Sequence, residues 1–306
     1  MSISTSYYFN HAVRLMNEQQ ASIAKTQTQL STGLQLTKPS DDPVKVTAIG
    51  RLNTAIARQD SYASSLAIVG DRLQAAEATV KSASDAMTRI KELTIRAAND
   101  TFGAADRGGI AAELASLREE LISLASSRDI NGNHLFSGTR AGQAPFAESP
   151  NGSIEYVGDQ ISARVSVGDQ REIIANRPGT EVFSSATRDS HGNPEKIGFF
   201  KVLDDLISAV RASNTTGMQR GLGEIDQITA GLTQALAQVG ADLSIVDAQK
   251  SRVDDTKLRL QTTLSALADS DYAQTITKLQ KEMLGLQAMQ SSFAKTTDLN
   301  LFNYLK

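Results

Sequence analysis

The sequence predicts a mainly α protein. It reads as a long antiparallel helical rod or coiled-coil bundle with paired N- and C-terminal helices and a small inserted β-rich domain. Three observations predict this. Apolar residues recur at alternating three- and four-residue steps over most of the chain, the pattern of helices with one buried seam. The two ends carry matching narrow seams diluted by Gln and Asn. Between residues 144 and 198 the stepping gives way to short runs separated by Gly-Asp and Pro-Gly turns.

The first helix is carried by Phe9, Val13, Met16, Gln20, Ile23, Gln27, Leu30 and Leu34. So narrow a seam leaves a helix marginal alone, and a partner is expected. Gln19, Gln20, Gln27, Gln29, Gln287 and Gln290 have two readings: they solubilise the terminal helices, or they fix register between packed ones. The helix breaks over Leu30-Ser31-Thr32-Gly33 and Lys38-Pro39-Ser40-Asp41-Asp42-Pro43. Asp42 is placed to cap the next helix and Pro43 to begin it. Adjacent carboxylates also suit the positive end of a helix dipole, and here they read as turn chemistry rather than a metal site.

From Val44 to Asn99 the stepping runs through Tyr62, Leu66, Val69, Leu73, Ala76, Val80, Ala83, Met87 and Ile90 without a polar miss. Unbroken, that helix would span about 80 Å. Asn99 to Gly103 ends it, and Ile110, Leu114, Leu117, Leu121 and Leu124 carry a second, antiparallel helix. Asn131-Gly132 marks a turn, and Leu135-Phe136 suits a short strand. Strands are expected over 153–157, 161–167 and 172–175, and 184–198 reads as a return linker. Helices resume near Ile197 with Phe200, Leu203, Ile207 and Val210. A long one then runs from Met218 to Leu267, and its register breaks at Asp269-Ser270-Asp271. The last helix carries Ile276, Leu279, Met283, Leu286, Gln290, Phe293, Thr297, Asn300 and Tyr304. The parts are therefore nested: a terminal segment of 1–42 with 270–306, a helical rod of 43–143 with 199–269, and an insert of 144–198.

Composition excludes several classes. The chain has 306 residues with 40% hydrophobic content and a mean hydropathy of −0.24. Aromatics make up 5% with no Trp, which favours Leu/Ala helix packing over a bulky core. The formal charge is −3 with no Lys/Arg cluster, against nucleic-acid or anionic-membrane binding. Without cysteine there is no disulfide, thiolate metal site or thiol nucleophile. The first residues lack a secretory signal, and no run of 18 apolar residues exists. These facts alone say cytoplasmic. His11, His134 and His191 lack metal-binding spacing, and Gly221-Leu222-Gly223 reads as helix-start punctuation rather than a dinucleotide loop. Asn151-Gly152-Ser153 and Asn214-Thr215-Thr216 fit a glycosylation pattern too short to carry weight. No catalytic constellation appears, so neither an enzyme nor a cofactor is expected.

Three stretches carry a family resemblance. They are Leu30-Ser31-Thr32-Gly33 with Pro39-Ser40-Asp41-Asp42-Pro43; Asn131-Gly132 with Leu135-Phe136-Ser137-Gly138-Thr139; and the ending Leu299-Asn300-Leu301-Phe302-Asn303-Tyr304-Leu305. Together they resemble the flagellin superfamily of bacterial flagella. The ending is similar to that of members that join hook to filament rather than members that build the filament. The resemblance implies a structural role and export, uncleaved and largely unfolded, through the flagellar type III channel. That revises the cytoplasmic reading to the extracellular flagellum. It also implies a ring of copies of this chain, with a neighbouring hook-associated protein on one side and flagellin on the other. A flagellar export chaperone is expected on the C-terminal helix before export. The expected assembly interface is Phe9, Val13, Met16, Ile23, Leu30, Ile276, Leu279, Met283, Leu286, Phe293, Leu301 and Tyr304. The alternatives are a filament flagellin subunit and, further off, a surface adhesin or needle-tip-like binding module.

Overall fold

A computed structural model describes residues 2–99, 101–150, 152–168, 170–190 and 193–302. In chain order its helices are α1 (Ser2–Thr32), α2 (Pro43–Ala97), α3 (Ala104–Ala125), α4 (Gly179–Val182), α5 (Phe199–Arg211), α6 (Thr215–Ala268) and α7 (Tyr272–Phe302). Between α3 and α5 lie β1 (Phe146–Glu148), β2 (Ile154–Tyr156), β3 (Arg164–Gly168), β4 (Arg171–Ile174), β5 (Ala186–Ser190) and β6 (Asn193–Ile197). The mainly α class, the paired terminal helices and the small β-rich insertion are as the sequence predicts. The chain divides into two compact units, Met1–Gln59 with Asp255–Lys306 and Asp60–Asp254, and α2 and α6 contribute to both.

In the unit Asp60–Asp254, the predicted stripe Leu66, Val69, Leu73, Ala76, Val80, Ala83, Met87 and Ile90 is buried. Arg107 turns the chain from α2 into α3: its Nε donates to the Ala97 carbonyl at 3.0 Å, satisfying a helix-end acceptor. The two helices then run antiparallel, with Arg89 on Glu113 at 2.7 Å. The aromatic residues are few but concentrated. Phe136, Phe146, Phe183, Phe199 and Phe200 pack edge to face at centroid distances of 5.2–5.6 Å. This cluster joins the turn after α3, the insertion and the start of α5.

The strands form three separate antiparallel hairpins. An isolated hairpin is marginal in water, so each needs an anchor. β1–β2 pairs Phe146 with Tyr156 and rests on the aromatic cluster. The other two hairpins and the segment between them are fastened to α6 by buried polar side chains. Gln249 Nε2 donates to the β3 carbonyl of Val167 at 3.2 Å. Arg177, just before α4, donates to Asp242 Oδ2 from Nε and Nη2 at 3.0 and 2.7 Å. Arg188 on β5 grips Glu224. The predicted return linker over 184–198 is therefore the hairpin β5–β6. Apolar stepping overlooked it because Arg188 and Thr187 hold it, the latter through Gln227 at 2.8 Å.

Two local expectations also change. Asn131-Gly132 is a turn, with Gly132 at φ +80° and Asp129 Oδ1 accepting the Asn131 and Asn133 amides at 2.9 Å. Leu135-Phe136 is buried but forms no strand. The Phe136 carbonyl is taken by the Gly179 amide at 2.7 Å and the Tyr156 hydroxyl at 3.1 Å, leaving no ladder to extend. Gly221 lies inside α6 rather than at its start, where an added Cβ would sit 2.8 Å from Leu206 Cδ1. Its missing side chain lets α5 approach α6 closely.

Candidate assembly interface

In the unit Met1–Gln59 with Asp255–Lys306, α1 and α7 lie side by side and antiparallel. Phe9 and Phe293 meet at one end with tilted rings whose centroids are 5.1 Å apart. At the other end the chain closes through backbone bonds from Gln35 N to the Ala268 carbonyl, 2.7 Å, and from Ser270 N to the Gly33 carbonyl, 2.8 Å. Gly33, at φ +71°, ends α1, and an added Cβ there would meet the Tyr272 hydroxyl at 2.9 Å. Only glycine serves both the left-handed turn and the close approach.

The break between α1 and α2 is held by two carboxylates. Asp42 Oδ1 accepts the Lys45 amide at 3.0 Å, and α2 begins at Pro43, as the sequence suggests. Asp41 accepts Lys25 Nζ at 2.8 Å and the Thr37 and Lys38 amides. The Lys25 ammonium, ahead of the Lys38 and Thr37 bonds, holds the Asp41 carboxyl below the usual carboxylate range against a smaller opposing effect of burial.

Of the expected interface residues, Val13, Met16, Ile23 and Leu30 on α1 and Leu279, Leu286 and Phe293 on α7 are half-buried in the seam. Phe9 is half-exposed outside its contact with Phe293. Ile276 and Met283 are 43% and 53% exposed and do not lie in the seam. The α7 column facing α1 is Thr275, Leu279, Glu282, Leu286, Met289 and Phe293. From Leu279, a step back of either three or four residues keeps the periodicity; the apolar choice is Ile276, but the fold uses Thr275. Its hydroxyl is satisfied by the Asp271 carbonyl and Ser270, both at 2.7 Å, so burial is tolerated. The side chain of Leu301, and Tyr304 entirely, lie outside the described residues.

The glutamines divide differently from the expected seam. Gln20, Gln27, Gln287 and Gln290 are exposed, whereas Gln19 and Gln29 are half-buried. The polar centre of the pair is Glu282, whose side chain is 13% exposed. Its two oxygens accept the Ser22 hydroxyl at 2.7 Å and the Thr26 hydroxyl at 2.9 Å. Gln19 Nε2 donates to the Glu282 carbonyl at 3.0 Å, and Thr26 is fully buried. Apolar stepping could not find these residues; the available signal was a Ser and a Thr four apart on α1, one helical turn, as a landing site for a carboxylate.

A groove of about 160 Å³ opens between the helices near their outer ends, lined by Tyr8, Ala12, Leu15, Met16, Met289 and Phe293. His11 and Ser292 are its polar members, and the rest of the lining suits apolar side chains. Among the described residues, no cluster of three or more His, Asp or Glu could hold a metal ion, and no helix is long and apolar enough to cross a membrane.

The model of the bacterial flagellin N-terminal helical region matches residues 3–141. The chain is 27% identical to flagellar hook-associated protein 3 of Salmonella typhimurium over 99% of both chains. It is 21% identical to polar flagellin A of Vibrio parahaemolyticus over 96% of both. A solved flagellar hook-associated protein 3 from Legionella pneumophila shares the fold, with a TM-score of 0.65 at 15% identity, over 72% of this chain and 98% of that one. These relatives are structural flagellar proteins and not enzymes. Residues 3–141 thus match the flagellin N-terminal helical region, and the whole chain is similar end to end to flagellar hook-associated protein 3.

Proposed function

We propose that this chain is the structural adaptor that joins the flagellar hook to the flagellin filament, assembling through its terminal helices after export. The observation that carries this reading is the outer surface of the terminal pair. Tyr8 and Leu15 on α1, and Ile276 and Met283 on α7, are each seven residues apart and so share a face of their helix. They are 51%, 40%, 43% and 53% exposed, and Leu284 beside them is 68% exposed. Apolar surface of this extent along two helices suits burial against neighbours. The seam residues then hold the helices together within one chain, while Ile276 and Met283 meet the next copy. Leu301 and Tyr304 join this interface on sequence grounds.

In this reading, 1–42 with 270–306 form the inner layer of a ring, 43–143 with 199–269 the next layer, and 144–198 faces outward. The partners are further copies of the chain, a neighbouring hook-associated protein, flagellin, and an export chaperone that covers the C-terminal helix inside the cell. The destination is the extracellular flagellum, reached without cleavage. A filament subunit is the second reading, favoured by the shared flagellin N-terminal region.

A clean deletion strain, imaged by electron microscopy with flagellin assayed in the medium, tests both. Bare hooks with abundant shed flagellin are expected for the adaptor. Bare hooks with no flagellin in cells or medium would make this chain the flagellin. Normal filaments would overturn both readings.

A further inference from the structure

The apolar seam of the terminal pair does not by itself define one alignment. Phe9, Met16, Ile23 and Leu30 on α1, and Tyr272, Leu279, Leu286 and Phe293 on α7, each repeat every seven residues. In the observed register Phe9 meets Phe293. Sliding α7 by seven residues in one direction would set Met16 against Phe293, Ile23 against Leu286 and Leu30 against Leu279. Sliding it the other way would set Phe9 against Leu286, Met16 against Leu279 and Ile23 against Tyr272. The first slip keeps three apolar layers; the second keeps two and sets Ile23 against the half-exposed Tyr272. The backbone bonds at the Gly33 end are made by N–H and C=O groups that almost every residue owns, although the turn itself needs glycine at 33.

We infer that Glu282, held by Ser22 and Thr26, is the register lock of the terminal helix pair. The trio has no seven-residue repeat. Seven residues from Ser22 stand Leu15 and Gln29, and seven from Glu282 stand Thr275 and Met289. One slip sets the Glu282 carboxylate opposite Leu15 and Gln19; the other sets it opposite Gln29 and Gly33 and both hydroxyls opposite Met289. In each case a largely buried carboxylate loses its two hydroxyl donors at 2.7 and 2.9 Å. Apolar contact selects the pairing of the helices, and this polar contact selects the alignment, at some cost in stability. The inference rests on the geometry of the pair and not on the flagellar reading.

The full chain contains no cysteine, so introduced pairs report register directly. Phe9→Cys with Phe293→Cys reports the observed alignment, and Met16→Cys with Phe293→Cys reports the seven-residue slip. Intrachain disulfide formation is followed by peptide mapping after oxidation. With Glu282 present, the first pair is expected to close at least about ten-fold faster, since slipping forfeits two hydrogen bonds to a charged group. In a Glu282→Leu background both pairs are expected to close within about two-fold of each other, because Leu fits every apolar layer. In Ser22→Ala, Thr26→Ala the carboxylate loses both hydroxyl donors and keeps only Lys278, 3.9 Å away on its own helix, and closure of both pairs is expected to fall. A ten-fold preference that persists in Glu282→Leu would overturn the inference. So would loss of both cross-links there, because a register lock is dispensable for pairing itself. Both outcomes are read on the isolated chain, whether or not it acts at the hook–filament junction.

Discussion

Arg188 holds Glu224 by a two-pronged grip: Nε to Oε1 at 2.6 Å and Nη2 to Oε2 at 2.8 Å, with the Glu224 side chain 4% exposed. Asp205 closes on the same guanidinium at 2.8 Å. The three residues come from β5, α5 and α6, so one cation ties a hairpin to two helices. Arg188→Ala leaves the buried Glu224 carboxylate with only the half-exposed Arg220 at 3.6 Å and is expected to cost about 3 kcal/mol. Arg188→Met with Glu224→Leu removes both charges and is expected to recover most of that loss. Urea unfolding of the three proteins checks it; a double variant no better than Arg188→Ala would show that the strength lies elsewhere.

Asp205 gives this cluster a pH signature. Burial pushes its carboxyl up, but the hydrogen bonds from Lys201 and Arg188 together outweigh that and hold it below the usual range. A carboxyl held low in the folded state contributes stability above its unfolded pKa of about 3.9, and the contribution is lost as pH falls through the folded value. The stability difference between the parent and Asp205→Asn is therefore expected to be flat from neutral pH to about 5 and to shrink below about 4. Urea midpoints at stepped pH measure it. A difference that closes above pH 5, or one that never closes, would contradict the assignment.

The sequence makes plain what rests on apolar periodicity and leaves obscure what rests on polar fit. The α2 stripe from Leu66 to Ile90 was legible because every inward position is apolar. The α6 stripe was only half legible. Its buried face includes Glu224, Asp242 and Gln249, each matched by a partner 36 to 82 residues away in the chain, which no local pattern reveals. The β5–β6 hairpin was missed for the same reason. On α7, Thr275 and Glu282 displaced Ile276 and Met283 from the seam because their polar atoms find donors or acceptors there. Three- and four-residue stepping identifies a helix and its approximate face, but cannot choose between adjacent columns when both satisfy the step.

Gly138 should not accept a side chain. It sits at φ +68°, and an added Cβ would fall on Asp159 Oδ1. Asp159 cannot simply withdraw: it accepts the Thr139 and Ile161 amides at 2.9 and 3.0 Å and the Thr139 hydroxyl. The Gly138 carbonyl accepts from buried Asn176 Nδ2 at 2.6 Å, which pins the backbone from the other side. The left-handed conformation alone costs a non-glycine residue about 1–2 kcal/mol. Gly138→Ala is expected to lose more than that in urea unfolding and to open the segment around Asp159 to protease first. Unchanged stability and unchanged cleavage would mean that the loop can relax.

The two faces of α7 should separate folding from assembly. Leu286 packs in the seam, so Leu286→Asp removes an apolar contact and places a charge against α1. It is expected to destabilise the terminal pair by at least about 2 kcal/mol. Met283 is 53% exposed, so Met283→Asp changes little within the chain. If the outward face meets neighbouring copies, as proposed, Met283→Asp still blocks filament formation in a complemented deletion strain, because the charge would be buried at each contact. Circular dichroism of the purified chains and filament counts on cells distinguish the two variants. Leu286→Asp is expected to lose helicity and filaments together, and Met283→Asp to lose filaments alone. Full filament counts with Met283→Asp would place the contacts between copies on another face of the terminal pair.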